Sequence, residues 1–246
     1  FEWDWITDAV NMKMYPEVFI TVTKPNIVYF NYNHSSRPAF RAFHCQHINS
    51  KPEPISIPYN QVITESQLDY PLEVFVQNHA LLRMKQRIDN ISAALRNLSF
   101  NNSLSMCVPR TLLNGQTVIE MNTNELGLIG FLPFTIIGKQ LFVLSFLPVC
   151  TQYSQEGLRL QQLLGISRKD IEFLGMDKLS FYVDNDIEQV PRLKKAIQEA
   201  GLWHLTQLKR IAKSEVRNEI TPATLQRFFP EEYEYVETIA EVEESA

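Results

Sequence analysis

VQNHALLRMKQRID, residues 76–89, is where the chain changes character. Up to Gln77 the apolar residues come in short runs punctuated by turn residues. From Ala80 onward Leu81, Met84, Ile88, Ile91, Leu95 and Leu98 recur at intervals of three and four. That spacing lays them along one stripe of a helix, so the sequence predicts one amphipathic helix over residues 80–98. Asn78 is its natural N-cap, because its side-chain oxygen can accept a bond from a free amide of the first turn.

On either side of this helix the pattern is β. Upstream, EVFITVT (17–23), NIVYFNYN (26–33), FRAFHCQHI (40–48), PISIPY (54–59) and LEVFVQ (72–77) are short extended runs separated by Pro, Asn and Ser clusters. Downstream, QTVIEM (116–121), LGLIGFLPF (126–134) and QLFVLSFLP (140–148) are joined by turn signals at Asn114-Gly115, Asn122-Thr123-Asn124 and Gly138-Lys139. Such short connections make neighbouring strands antiparallel, so a meander is expected. Residues 128–150 carry a single charge, Lys139, in mid-span. Each flanking apolar run is about ten residues, too short for a helix to cross a bilayer, and two strands joined by a turn fit better.

The remainder reads as helical. Ser154 caps a helix through Leu164 that stops at Gly165, and Ser167 with Asp170 forms a capping box for a helix ending at Gly175. LSFYVD (179–184) reads as one more strand. Pro191–Ala200, LTQLKRIAK (205–213) and a terminal acidic helix opened by Thr221-Pro222 complete the order. Strands, a helix, strands and then helices make an α+β chain in three parts: a β-rich part over 1–71, a helix plus antiparallel sheet over 72–150, and a helical part over 151–246. The two β regions are free to merge into one sheet.

Composition agrees with a soluble, cytoplasmic globular protein: 45% apolar and 21% charged residues. Cys45, Cys107 and Cys150 are widely spaced and odd in number, the usage of reduced thiols. FEWDWITDAV (1–10) sets acids among aromatics and lacks the basic stretch of a secretory signal. The net charge is −5, but residues 231–246 hold seven glutamates and no basic residue, which leaves residues 1–230 at +2. An acidic amphipathic tail of this kind is either a solvated helix or an arm for a protein partner. As an arm it has a basic surface of the same molecule as one possible target, which would make it autoinhibitory.

The residues with most chemical potential lie in the opening stretch. At about 100° per residue, His79, Arg83 and Arg87 stand at about 0°, 40° and 80° on the helix, a ridge along the edge of a stripe centred near about 150°. His79 falls in the first turn, where the helix dipole favours neutral imidazole. A neutral imidazole beside two guanidiniums suits a phosphodiester: the histidine takes or gives a proton while the arginines hold phosphate charge. The alternative is that the arginines are solvated and cover apolar surface with their stems.

The run His79-Ala80-Leu81-x-Arg83-Met84-x-x-Arg87, followed by a meander, resembles the opening helix of RelE-like domains, relatives of toxin endoribonucleases. The resemblance covers about 75 residues. It implies an RNA-binding or RNA-cleaving protein with His79, Arg83 and Arg87 in its catalytic site and RNA as its partner. A chain longer, less basic and more acidic at its end than those domains also admits a second expectation: a non-enzymatic interaction module on the same fold, a mobile-element or antitoxin-like partner protein of a toxin-antitoxin kind.

Other constellations are weaker. His44-Cys45-Gln46-His47 with His34 contains metal-ligand residue types, but on a strand His44 and His47 face opposite ways, and no metal is expected. Asp184-Asn185-Asp186-Ile187-Glu188 opens like a calcium loop, yet the loop's sixth and twelfth positions are Gln189 and Lys195 instead of Gly and Glu. Asp186 is better read as a helix N-cap. Ser145 and Cys150 are possible nucleophiles without a sequence signature. No cofactor is implied.

Overall fold

The computed structural model describes residues 27–44, 53–91, 93–123, 127–210 and Leu225. In chain order the elements are β1 (Ile27–Tyr32), β2 (Ser35–Arg41), β3 (Ser56–Pro58), α1 (Tyr59–Val62), β4 (Pro71–Gln77), α2 (Asn78–Arg87), α3 (Ala93–Met106), β5 (Pro109–Thr111), β6 (Thr117–Thr123), β7 (Gly127–Ile137), β8 (Gln140–Val143), β9 (Leu147–Pro148), α4 (Gln155–Leu164), α5 (Arg168–Leu174), α6 (Leu179–Asp184) and α7 (Pro191–Glu199), with 3-10 turns at Ile187–Gln189 and Trp203–Arg210. The fold is α+β.

One sheet joins both β regions in the order β1-β2-β4-β8-β7-β6-β5, with β3 beside β4 and β9 beside β7. The meander pairs antiparallel as its short turns dictate. β4 and β8 are parallel, with Val74 opposite Leu141 and Val76 opposite Val143, so the sheet as a whole is mixed. A parallel pair needs a long crossover, and here α2, α3 and the meander supply it.

Period-two alternation sorts the strand side chains into two layers. Val74, Val76, Leu141 and Val143 join the main core with Ala80 and Met84 of α2 and with Ile88, its C-cap. Phe75 and Phe142, between them in sequence, point the other way and pack with Phe30, Ala39 and Leu144. Phe142 stacks on Phe30 at 4.1 Å between ring centroids. Each fully buried aromatic or aliphatic side chain of this kind is worth about 1.5–3 kcal/mol.

Several expectations are corrected. The helix of residues 80–98 is two helices, α2 and α3, with a break at Ile88–Ile91. The reason is tertiary: Asp89 leaves the helix so that its carboxylate accepts from Ser180 N (2.9 Å) and Ser180 Oγ (2.7 Å), capping the start of α6. Asn90 Nδ2 donates to Asp184 Oδ1 at the other end of α6. Bracketed at both ends, LSFYVD is a helix with Leu179, Phe181, Tyr182 and Val183 buried, not a strand. Asn78 is the first helical residue of α2; the N-cap position belongs to Gln77, which makes no side-chain cap bond. PISIPY is only partly extended, since Tyr59 already starts α1. Asp186 precedes a 3-10 turn, but its carboxylate takes the Gln189 side-chain amide and caps no backbone N–H.

The two local capping predictions match the structure. Ser154 accepts from Gly157 N, and Gly165 closes α4 in the left-handed conformation at φ 68°. Ser167 and Asp170 form a reciprocal capping box, and Gly175 closes α5. The segment 128–150 is the β7–β8–β9 region, and among the described residues no helix is long and apolar enough to cross a membrane. The run 17–23, Cys45–Ile48 and the acidic tail lie outside the described residues.

Candidate functional site

The inward stripe of α2 is Ala80 and Met84, continued by the C-cap Ile88, all buried. His79, Arg83 and Arg87 each precede one of these by a single residue, which on a helix is a rotation of about 100°. They therefore run along the rim of the buried face, half in and half out. The structure brings all three to one cleft of about 190 Å³. Its other walls are the chain from Ser145 to Tyr153, Gln161 of α4, Arg168 and Glu172 of α5, and Asp177 in the turn after α5.

The three ridge residues are not equivalent. Arg87 is ion-paired with Asp177, and the two side chains are only 19% and 9% exposed. Burial, then Arg83, pull Arg87 below the ordinary guanidinium range. Arg83 makes no hydrogen bond or ion pair with any described residue, and neither does His79. His79 is held below its ordinary value of 6.5, by partial burial first and then by Arg83 and Arg37. The direction is the one expected, but the causes are desolvation and neighbouring cations. β2 runs antiparallel to β4 with Ala39 opposite Gln77, the last residue before α2, and Arg37 two residues before Ala39 is close enough to act on His79. Its guanidinium lies over the Tyr32 ring, 5.3 Å from the centroid.

Positive charge along the cleft thus comes from Arg83, Arg87 and Arg168, with the neutral imidazole of His79 beside them. Two carboxylates temper it. Asp177 is committed to Arg87, and Glu172 accepts from Arg168 Nε at 3.0 Å on an exposed helix face. Surface i,i+4 pairs of that sort contribute at most about 0.5 kcal/mol, so Glu172 is only loosely held.

Of the candidate nucleophiles, both Ser145 and Cys150 line the cleft. Cys150 is fully buried, its thiol is pushed up to about 11 by burial, and it faces the Met176 carbonyl with Sγ 3.2 Å away. A thiol so protonated is a poor nucleophile at neutral pH. Ser145 is half-buried, and no base among the described residues hydrogen-bonds to it.

The remaining candidates are dispersed. His44 Nδ1 pairs with Ser105 Oγ at 3.0 Å, far along the chain from His79. Cys45 and His47 lie outside the described residues, among which no cluster of three His, Cys, Asp or Glu side chains is disposed to hold a metal. Asp184 and Asn185 end α6, where Asn185 Nδ2 donates back to the Phe181 carbonyl at 2.9 Å.

Sequence reasoning missed Arg168, Glu172 and Asp177. They stand about 80 to 100 positions beyond α2 and reach the cleft only because α5 folds back over it. Nothing local marks them. Compared with protein-family models, curated proteins and solved structures, the chain matches none of them.

Proposed function

We infer that the chain binds RNA in this cleft and handles a phosphodiester there, in the manner its RelE-like helix implies. The single observation that carries the reading is that His79 and Arg83, a neutral imidazole and a guanidinium free of described partners, line the same concavity. A permanently charged guanidinium with no internal carboxylate is available for a phosphate oxygen. An imidazole kept neutral beside it can take a proton from an attacking hydroxyl or water and return it to a leaving oxygen. Arg87, by contrast, acts as an anchor that holds the rim of the cleft against Asp177.

A second reading is favoured by that same ion pair. With one of the two ridge guanidiniums neutralised, the site has less charge to stabilise a transition state, and the fold then serves as a non-enzymatic RNA- or protein-interaction module. An RNA degradation assay on wild type, His79→Ala and Arg83→Ala separates the two. Cleavage by the wild type that both variants lose supports the enzyme. RNA bound but left intact by the wild type supports the module, and no RNA binding at all removes both RNA readings.

A further inference from the structure

The cleft has a second kind of wall. Its charged lining comes from α2 and α5 together with Asp177, whereas the chain from Ser145 to Tyr153 and the α4 face contribute only neutral groups. Among these, Gln152 and Gln161 carry side-chain amides that make no hydrogen bond with a described residue. Each amide offers two donors and an acceptor, the complement of a base edge. Tyr153 stands beside Gln152, half-buried, with its ring packed against the main core. A phosphate ion or a sugar phosphate would engage the cationic side alone and leave two amides and an aromatic ring unused. A nucleic-acid duplex presents its base edges only within its grooves, and they cannot enter a concavity of about 190 Å³.

We propose that the cleft accepts one unpaired nucleotide, with its phosphate at Arg83 and His79 and its base against Tyr153, Gln152 and Gln161. The ligand class is therefore single-stranded RNA, a loop or a free end, and Gln152 and Gln161 set the base preference. This rests on the RNA reading given above. Recognition of RNA by splaying out a base, stacking it on an aromatic side chain and bonding its edge is the general solution for unpaired strands. Tyr153 is fixed for that task from behind: its carbonyl accepts from Leu113 N at 2.8 Å, and the following Ser154 is tied down by bonds to the Val149 and Thr151 carbonyls. A stacking platform held this way loses little freedom when a base arrives.

The test is fluorescence anisotropy with four labelled homopolymeric RNA strands and one RNA duplex of equal length. The wild type is expected to bind its best single strand at least about tenfold more tightly than the duplex. Tyr153→Leu, which keeps apolar contact with the core, is expected to weaken all four strands by about tenfold, the usual scale for one stacked base. Gln152→Ala and Gln161→Ala are expected to reorder the four strands while leaving duplex binding unchanged. Equal binding of strand and duplex, or an unchanged order in both glutamine variants, overturns the proposal and leaves the phosphate reading standing. Failure of the wild type to bind any of the five overturns both. Thermal melting of each variant shows whether it is folded, and the glutamines, half-buried at most, provide the arm that does not depend on Tyr153.

Discussion

The Arg87 guanidinium is ion-paired with the Asp177 carboxylate, and the pair ties the last turn of α2 to the turn behind α5 across the cleft. Asp177 depends on this contact, because its other oxygen, Oδ1, is buried with no hydrogen-bond partner among the described residues. Removing one partner of such a pair leaves a charge stranded in a poorly solvated place. Arg87→Met is expected to lose about 3 kcal/mol in urea denaturation. The double variant Arg87→Met with Asp177→Leu should recover most of that loss. Two single variants whose costs simply add would show that the pair is not coupled.

The same pair predicts opposite effects on folding and binding. Asp177→Asn should lower stability yet tighten RNA binding and steepen its dependence on salt, because Arg87 is then free to meet a phosphate. Titration of an RNA strand between low and moderate salt checks this. A variant both less stable and weaker in binding would assign Asp177 a direct role at the ligand.

Arg83 is expected to behave as a surface residue in folding and as a contact residue in binding. Arg83→Ala should move stability by no more than about 0.5 kcal/mol. It should also reduce the slope of log affinity against log salt by about 1 and weaken binding to all sequences alike. A changed base preference in this variant would contradict its placement at phosphate.

How much of this was legible beforehand depends on whether the signal was local. Ser154, Gly165, Ser167, Asp170 and Gly175 announce α4 and α5 because caps and left-handed stops act within a few residues. The ridge of His79, Arg83 and Arg87 was legible from helical spacing alone. The break after Arg87 was not, because Asp89 is drawn out of the helix by Ser180, 91 residues away. LSFYVD misleads for a related reason: Leu, Phe, Tyr and Val suit a buried strand and a buried helix equally, and only Asp89 and Asn90 at its ends decide between them. The parallel pairing of β4 with β8 and the arrival of Arg168, Glu172 and Asp177 at the cleft are long-range events of the same sort. No period in the sequence encodes them.

His79 gives the fold a pH dependence of defined sign. Its folded value lies below 6.5 through burial, Arg83 and Arg37, whereas in the unfolded chain it titrates near the ordinary value. As pH falls through about 6.5, the unfolded chain takes up the proton first, so the folded state loses stability until pH passes below the folded value. His79→Gln should flatten this part of the profile, making its urea midpoint less sensitive than the wild type's between pH 7.5 and 5.5. A wild type that gains stability over that interval relative to the variant would reverse the assignment.

Gly157 marks a place where the backbone of α4 meets the cleft-lining segment. A Cβ at this position would overlap the Thr151 carbonyl oxygen and the Cys150 carbonyl group, both backbone and unable to swing aside. Gly157→Ala is therefore expected to cost about 1–3 kcal/mol in thermal or urea denaturation. By shifting residues 150–153, it should also weaken RNA binding beyond its effect on stability. An unperturbed midpoint would show that residues 150–151 yield to the added methyl without cost.

The proposed entry of RNA into the cleft at His79 and Arg83 is open to direct observation. The most direct measurement follows the imidazole proton resonances of the five histidines during titration with a short single-stranded RNA, with the His79 signal assigned by its loss in His79→Ala. A saturable shift of the His79 resonance is expected, larger than that of His204 and requiring more RNA to saturate in Arg83→Ala. Binding of RNA that moves other histidines and leaves the His79 signal in place would contradict it.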